Sequence, residues 1–472
     1  MSIDILPFEV LCEILGTSRD LDTIYESVLV CKAFKDAGLP SLYKTITLKT
    51  LQPSESGECF NFRALETLDK YPHLRTHVRE VVFRFVLDDY VRRTRHTATT
   101  PLKRAEGNAW THSLAQLPNV RAYTFYHVPL LSSQNQYLPI PSDVLEQTVS
   151  AIRDWGPLTE LNLLYRLTRS DITRLSRIKK ARSVRLGFPP AEAVGAIMPL
   201  VEQCDSLSIM DAYAIDSLVV IRPLVGNLSI LHLGPHHALC NMDLLQMLQC
   251  GQGLQGLDLF YDNFLNAQTV EVETVCTPEL KQLRKFVLRH QGVSNKAQYG
   301  EMFKWLDLVI SAAPLSSFSI FSDDSRECNF AMPLITLLVK KPIEFLDIPH
   351  IIIRSTSLRM LFGTGNRLQV LSIMLVDVNV LNFFGSTVIG ELFCNLSALY
   401  LRSNRVTCSY SLVTPQLRRT MLYLRDGPGH IRRVKQEKGA WKALWTEGFH
   451  TIRKGLDALY DEYGKATELN GW

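Results

Sequence analysis

At 472 residues the chain exceeds the size of one compact core, so we expect several domains or an elongated repeat array. The formal net charge of +4 argues against an electrostatic nucleic-acid binder, and no apolar run is long enough to span a bilayer. The 10 cysteines lack paired short spacings and the first residues lack a secretory pattern, so we expect reduced thiols and a cytoplasmic or nuclear protein.

The first fifty residues carry short apolar stripes at helical spacing, which predict about three short helices. The first stripe consists of Val10, Leu11, Ile14 and Leu15. Gly38 and Pro40 are expected to break the third helix. A unit this small buries its own apolar surface poorly, so it would gain from a partner or from docking on the next domain.

Three short motifs in this region, taken in order, resemble the F-box found in many fungal proteins. They are Leu6-Pro7-x-Glu9-Val10-Leu11-x-x-Ile14-Leu15, Val30-Cys31-Lys32-x-Phe34 and Leu42-Tyr43-x-x-Ile46. The resemblance spans residues 4–49 and implies binding to the Skp adaptor of an SCF-type cullin-RING ubiquitin ligase. On that resemblance the adaptor-binding residues are Leu6, Pro7, Leu11, Ile14, Leu15, Val30 and Phe34. Val30 and Phe34 either join the contact or hold the helices together. A plain helical cap over the first repeat also fits the stripe.

An apolar frame, L-x-x-L-x-L, recurs at twelve points after residue 60. The middle anchors are Val81, Tyr123, Leu161, Val184, Leu207, Leu231, Leu257, Phe286, Phe318, Leu346, Leu371 and Leu399. From Leu161 onward the anchors are separated by 23 to 32 residues, close to the period of a leucine-rich repeat with one strand and one helix per unit. Helix-length connectors therefore predict a curved α/β solenoid with a parallel concave sheet and helices outside.

Alternation along each strand separates core positions from candidate contact positions. The anchors face the helices, and the residues between and after them face the concave surface. The predicted client-binding residues on that surface are Arg185, Met210, His232, Asp258, Phe260, Arg289, Phe321, Met374 and Tyr400. Large apolar groups ringed by polar ones are typical of a protein interface. Loops or the C-terminal tail folded over this face would bury the same residues, and this alternative stays open.

The region after Leu399 differs from the repeats. A basic stretch precedes a run from Trp441 to Tyr463 with apolar residues at helical spacing, which predicts a helix that caps the solenoid. The charges on that run are mixed, which argues against membrane binding.

The sequence lacks the common catalytic motifs, so we predict no enzyme activity, no catalytic residues and no cofactor. The densest histidine group is His232, His236 and His237, but Gly234-Pro235 argues against a helix there, and we predict no metal site.

The sequence thus predicts an α/β protein with three regions: an F-box-like helical domain at 1–50, an irregular leucine-rich-repeat solenoid at 60–412, and a basic linker with a capping helix at 413–472. The predicted function is that of the substrate-recognition subunit of an SCF-type ligase, which holds the Skp adaptor and an unknown client protein. The alternative is a repeat scaffold that binds proteins outside any ligase.

Overall fold

The computed structural model describes residues 7–17, 21–49, 63–86, 109–128, 145–146, 148–150, 158–175, 178, 181–188, 204–210, 212, 218–263, 277–322, 328, 330–353, 357, 360–361, 367–375, 398–403, 421–426, 430–437 and 440–448. The chain divides into two compact units, Met1–Asp216 and Ser217–Trp472. This division does not follow the three predicted regions, whose boundaries stay a prediction.

The first unit has six strands among its described residues, and each pairs in parallel with the next along the chain. The strands are β1 (Thr45–Lys49), β2 (Glu80–Val86), β3 (Ala122–Val128), β4 (Leu158–Arg166), β5 (Ala181–Phe188) and β6 (Ser206–Ile209). The helices are α1 (Phe8–Thr17), α2 (Leu21–Val28), α3 (Lys32–Leu42), α4 (Arg63–Lys70), α5 (Ala109–Ala115) and α6 (Arg169–Leu175), with a 3-10 helix at Pro72–His77.

The second unit continues the same alternation. Its strands are β7 (Ile230–Leu233), β8 (Gly256–Asp262), β9 (Lys285–Gln291), β10 (Ser317–Ser322), β11 (Phe345–Ile353), β12 (Val370–Leu375), β13 (Ala398–Ser403), β14 (Met421–Asp426), β15 (His430–Glu437) and β16 (Ala440–Gly448). Its helices are α7 (Leu218–Val225), α8 (Asn241–Leu248), α9 (Lys296–Ile310) and α10 (Met332–Leu338). The pairing is parallel from β7 to β14 and antiparallel from β14 to β16.

The apolar anchors of the repeat frame lie in register across each sheet. Tyr123 is opposite Leu161 in the first unit, and Phe286 is opposite Phe318 in the second. Every anchor from Val81 to Leu371 is buried. Burying a large apolar side chain stabilises a fold by about 1.5–3 kcal/mol, so the anchors form the hydrophobic core of each unit. The prediction of a mixed α/β fold with a parallel sheet is confirmed.

Helices cover the anchor face of the second unit. Tyr261 on β8 packs against Trp305 on α9, with 5.4 Å between their ring centroids. The indole Nε1 of Trp305 donates a hydrogen bond to the Asn241 carbonyl at the start of α8, over 3.2 Å. Asn295 caps α9 by accepting a hydrogen bond from the Gln298 backbone N–H. The neighbouring helices α7 to α10 pack one against the next.

The third helix is longer than the sequence predicts. We expected Gly38 and Pro40 to break it, but α3 continues to Leu42. This expectation was wrong because a proline in the last turn removes only one intrahelical hydrogen bond. The helix closes where the Tyr43 backbone N–H donates to the Leu39 carbonyl over 3.0 Å.

The C-terminal region contains strands where we predicted a capping helix. Residues 440–448 form β16, which pairs antiparallel with β15, so the helix prediction is wrong for these residues. The spacing of Trp441 and Trp445 fits a helical turn, but tryptophan also favours strands, and the neighbouring strand offers backbone partners. The remainder of the predicted helix, 449–463, lies outside the described residues.

Candidate functional site

The N-terminal helices enclose a small core. Leu11 and Leu15 are buried against Ala37, and Cys12 and Phe34 pack at the edge of this cluster. The helix α3 lies against both α1 and α2. Three of the predicted adaptor-binding residues, Leu11, Leu15 and Phe34, therefore hold the helices together.

The same helices leave other apolar side chains exposed. Among the described residues eight large hydrophobic side chains are exposed, and five of these belong to α1, α2 and the turn after α2. These five, the N-terminal apolar surface, are Phe8, Ile14, Tyr25, Leu29 and Val30. Leu29 is 68% exposed and Val30 is 67% exposed. Pro7 is also exposed, and Leu6 lies outside the described residues. Five exposed apolar groups on so short a segment exceed the singly scattered apolar residues of an ordinary protein surface.

The residues between the anchors align into columns, as predicted. In the second unit this set, the polar column, consists of His232, Asp258, Val287, Ser319, Asp347 and Ser372, each opposite the next on the neighbouring strand. Tyr400 continues the column opposite Ser372, but its side chain is outside the described part. In the first unit Asn162, Arg185 and Ser208 align in the same way.

The polar column is buried, whereas we expected it to be open to a partner. Asp258 is 2% exposed and Ser319 is 0% exposed. Phe260, predicted as an apolar contact for the client, is 1% exposed. Short side chains on strands about 4.8 Å apart shield one another, which explains Ser319, but a phenylalanine needs a cover. Phe260 is therefore covered, as the alternative of a covered concave face predicts. Our expectation that Phe260 is exposed was wrong.

Other predicted contact residues are partly accessible. Arg185, Met210, Arg289 and Phe321 are half-buried. Phe260, Arg289 and Phe321 lie opposite one another on β8, β9 and β10, so the arginine is flanked by two aromatic residues. The Cζ atom of Arg289 lies 5.6 Å from the centroid of the Phe321 ring, within the range of a cation–π contact.

The most unusual group of the polar column is the carboxylate of Asp258. The Arg289 Nε atom is 3.5 Å from Asp258 Oδ1, and the His232 Nε2 atom is 4.0 Å from Oδ2. Both distances exceed those of good charge-assisted hydrogen bonds. Within the described part of the chain, no group donates a hydrogen bond to either oxygen of Asp258. A buried carboxylate without hydrogen bonds is costly, so Asp258 can accept new donors at a net gain.

The next column, which lies two residues after the polar column on each strand and contains Phe260, Arg289 and Phe321, is interrupted on β11. Ile348 is opposite Ile373 on β12, but the next pair is Ile352 with Met374, so residues 349–351 bulge out of the ladder. Pro349 begins this bulge, since proline has no N–H for the ladder. The side chain of Met374 is outside the described part, so its place in a client-binding surface stays a prediction.

The three histidines His232, His236 and His237 do not share one set of contacts. His232 faces Asp258, while the His237 ring Nε2 lies 2.8 Å from the Phe260 carbonyl oxygen. Burial lowers the pKa of His237 below its usual value, and the hydrogen bond to Phe260 opposes that effect only in part. The ring is therefore neutral at pH 7, with Nε2 donating to the carbonyl. The expected absence of a helix at Gly234-Pro235 is confirmed.

A hydrogen-bond network centred on Glu80 occupies the corresponding face of the first unit. The hydroxyls of Thr45 and Thr124 donate to the Glu80 carboxylate over 3.1 and 3.2 Å. The Asn162 amide donates to the Thr124 hydroxyl over 3.0 Å. Since Glu80 already has its donors, this network ties neighbouring strands together and offers less to a ligand than Asp258 does.

Sequence reasoning missed part of the N-terminal apolar surface. Tyr25 lies on α2 and Leu29 on the turn that follows it, and both side chains are exposed. Ile24 is buried, and Val28 packs close to the backbone of Gly38. The sequence shows apolar residues on both sides of this segment, Ile24 with Val28 and Tyr25 with Leu29. Only packing decides which side is buried.

In the part of the chain that the structure describes, no group of three His, Cys, Asp or Glu side chains is placed to hold a metal ion. Within the same residues, no helix is both long enough and apolar enough to cross a membrane.

No protein-family model matches this chain, and no curated protein is significantly similar to it.

Proposed function

We propose that this protein is the substrate-recognition subunit of an SCF-type cullin-RING ubiquitin ligase. Its three N-terminal helices form an F-box that binds the Skp adaptor, and its strands form an irregular leucine-rich-repeat solenoid that holds a client protein. The chain does no chemistry of its own. It raises the effective concentration of the client near a ubiquitin-charged enzyme.

The observation that supports this proposal is the concentration of exposed apolar side chains on the N-terminal helices. Isolated exposed apolar residues are ordinary on protein surfaces, but five within residues 8–30 are not. The buried pair Leu11 and Leu15 holds the helices together, while Ile14 and Val30 are exposed. The order of the three motifs and the presence of both buried and exposed apolar residues on these helices support the same proposal.

Adaptor binding is tested with the full-length protein and the purified Skp adaptor. We expect Ile14→Asp combined with Val30→Asp to weaken binding by at least about tenfold, because charge in the centre of an apolar interface removes its anchor residues. Both positions are exposed, so the substitutions should leave the thermal unfolding midpoint nearly unchanged. Binding is measured by surface plasmon resonance, and folding by circular dichroism.

The matched control is Met360→Asp, which introduces the same charge at an exposed apolar residue of the second unit. This variant should bind the adaptor like the unchanged protein. A full-length protein that does not bind the adaptor, or a double variant that binds normally, would contradict the ligase proposal.

A non-ligase repeat scaffold is the second candidate, and a specific contact favours it. The helix α3 packs against the 3-10 helix at Pro72–His77, which leads into β2. The strand β1 that follows α3 pairs with β2. A helical unit attached in this way also acts as a cap for the sheet. On this proposal the protein assembles partners without the adaptor, and co-purified proteins identified by mass spectrometry would lack ligase subunits.

A further inference from the structure

The polar column of the second unit contains a site whose chemistry indicates one class of ligand. Asp258 is 2% exposed and lies on the face opposite the leucine core. Its nearest cationic group is Arg289, with Nε 3.5 Å from Oδ1. Within the described residues, neither carboxylate oxygen accepts a hydrogen bond. A carboxylate has about four acceptor sites, so Asp258 has capacity for a ligand that carries several donors.

We propose that Asp258 receives a basic side chain, lysine or arginine, of the bound client; this inference rests on the proposed function. The ammonium or guanidinium group would donate hydrogen bonds to both carboxylate oxygens. Arg289 and Phe321 form the rim of this site, and Ser319 lies two strands away in the polar column.

The chemistry of Asp258 favours a cation over an anion. An ionised carboxylate is negative and only accepts hydrogen bonds. A basic side chain that takes the place of Arg289 would neutralise Asp258 and donate to its oxygens, whereas a phosphate or a carboxylate would be repelled. Burial strengthens this preference because the effective dielectric constant is lower than in water.

Arg289 is the partly exposed group beside Asp258. Its side chain is 16% exposed, and its contacts to Asp258 and to the Phe321 ring are both long. A cation–π contact of a partly exposed arginine contributes only about 0.5–1 kcal/mol. On this proposal the guanidinium moves aside when the basic group of the client enters. Arg289 thereby acts as a stand-in for the client's basic group when no client is bound.

The test uses full-length protein and a positional-scanning library of twelve-residue peptides, with one position at a time fixed as Lys, Arg, Ala or Glu. We expect pools with a fixed Lys or Arg at one position to be retained at least about tenfold better than the Glu pool. The Asp258→Asn variant should lose most of that preference. The protein carries a net charge of +4, so general attraction of basic peptides does not explain such a result.

The matched control is Asp307→Asn, which makes the same change on the exposed face of α9 and should keep the preference. A second measurement needs no variant of the protein. Replacing the selected lysine by acetyl-lysine removes the charge, and binding should fall by about tenfold or more.

Equal retention of all four pools, a preference for Glu, or an unchanged preference in Asp258→Asn would overturn the inference. Adaptor binding is measured on the same preparation, so the two proposals can fail separately. A protein that selects basic peptides without binding the adaptor keeps this site and loses the ligase function. A protein that binds the adaptor while retaining all pools equally keeps the ligase function and loses this site.

Discussion

At the scale of single residues, alternation along the strands separated two kinds of position correctly. The anchors are buried, and the residues between them form the columns on the other face. Alternation gives the direction of a side chain but says nothing about what covers it. Phe260 shows this limit, since it lies in the predicted column and is nevertheless buried. A Phe260→Ala variant would therefore lose stability by about 3–5 kcal/mol, and it cannot serve as a test of client binding. Stability in urea measures this loss.

His237 gives the second unit an acid-sensitive contact. Burial lowers the pKa of His237 in the folded protein below the ordinary value of 6.5. The unfolded chain then binds more protons in that window, so the free energy of unfolding rises with pH and falls as pH drops below about 6.5. We expect unfolding in urea to show this decline between pH 7.5 and pH 5.5. The decline should be smaller in His237→Gln, whose amide can still donate to the Phe260 carbonyl. An equal pH dependence in both proteins would contradict this account.

At the scale of elements, α3 combines a glycine with a close contact. A Cβ atom at Gly38 would lie 2.5 Å from Val28 Cγ1 and 3.4 Å from Leu15 Cδ1. Sequence reasoning treated this glycine as a helix breaker. The structure gives it another role, because the absence of a side chain allows α3 to approach α1 and α2. Intrinsic propensity cannot reveal such a contact, since it depends on residues distant in the sequence.

The Gly38→Ala variant tests this contact. Alanine favours a helix, but the clash with the stiff side chain of Val28 should destabilise the packing of α1 to α3 by about 1–3 kcal/mol. Hydrogen exchange of the α1–α3 amides measures the loss. Gly300→Ala on α9 is the matched control, because nothing lies within 4 Å of a Cβ there, and it should stabilise the protein by roughly 0.5–1 kcal/mol.

Adding Val28→Ala to Gly38→Ala should recover part of the loss, since the shorter side chain makes room. A Gly38→Ala variant as stable as Gly300→Ala would show that α3 adapts without cost.

At the scale of the whole molecule, the N-terminal helices α1 to α3 are connected through β1 to the sheet that follows them. The strand β1 pairs with β2 through five matched residues, and the Lys44 carbonyl accepts hydrogen bonds from the N–H groups of Arg79 and Glu80. Ile46 extends the anchor column beyond its first predicted member, Val81. The predicted boundary at residue 50 therefore falls immediately after a strand that belongs to the sheet.

Two truncations separate the contribution of β1 to stability from that of the helices α1 to α3. Deleting residues 1–49 removes β1 and leaves the edge of β2 unpaired, so we expect aggregation and a lower unfolding midpoint. Deleting residues 1–43 keeps β1 and should cause a smaller loss of stability. Light scattering and thermal unfolding compare them. Equal stability of the two truncated proteins would show that β1 does not protect the sheet.

The sequence by itself determined the local pattern of this protein. The spacing of the leucine frame located the strands from β2 to β13, and the helical stripe located α1 to α3. Period and spacing are local properties, so they can be read without knowledge of the fold.

The tertiary structure decided which apolar residues are core and which are exposed, that Asp258 is buried beside Arg289, and that residues 440–448 pair as a strand. These features depend on contacts between residues far apart in the chain. Packing and strand pairing between distant segments outweigh local propensity, which is why the spacing alone did not predict them.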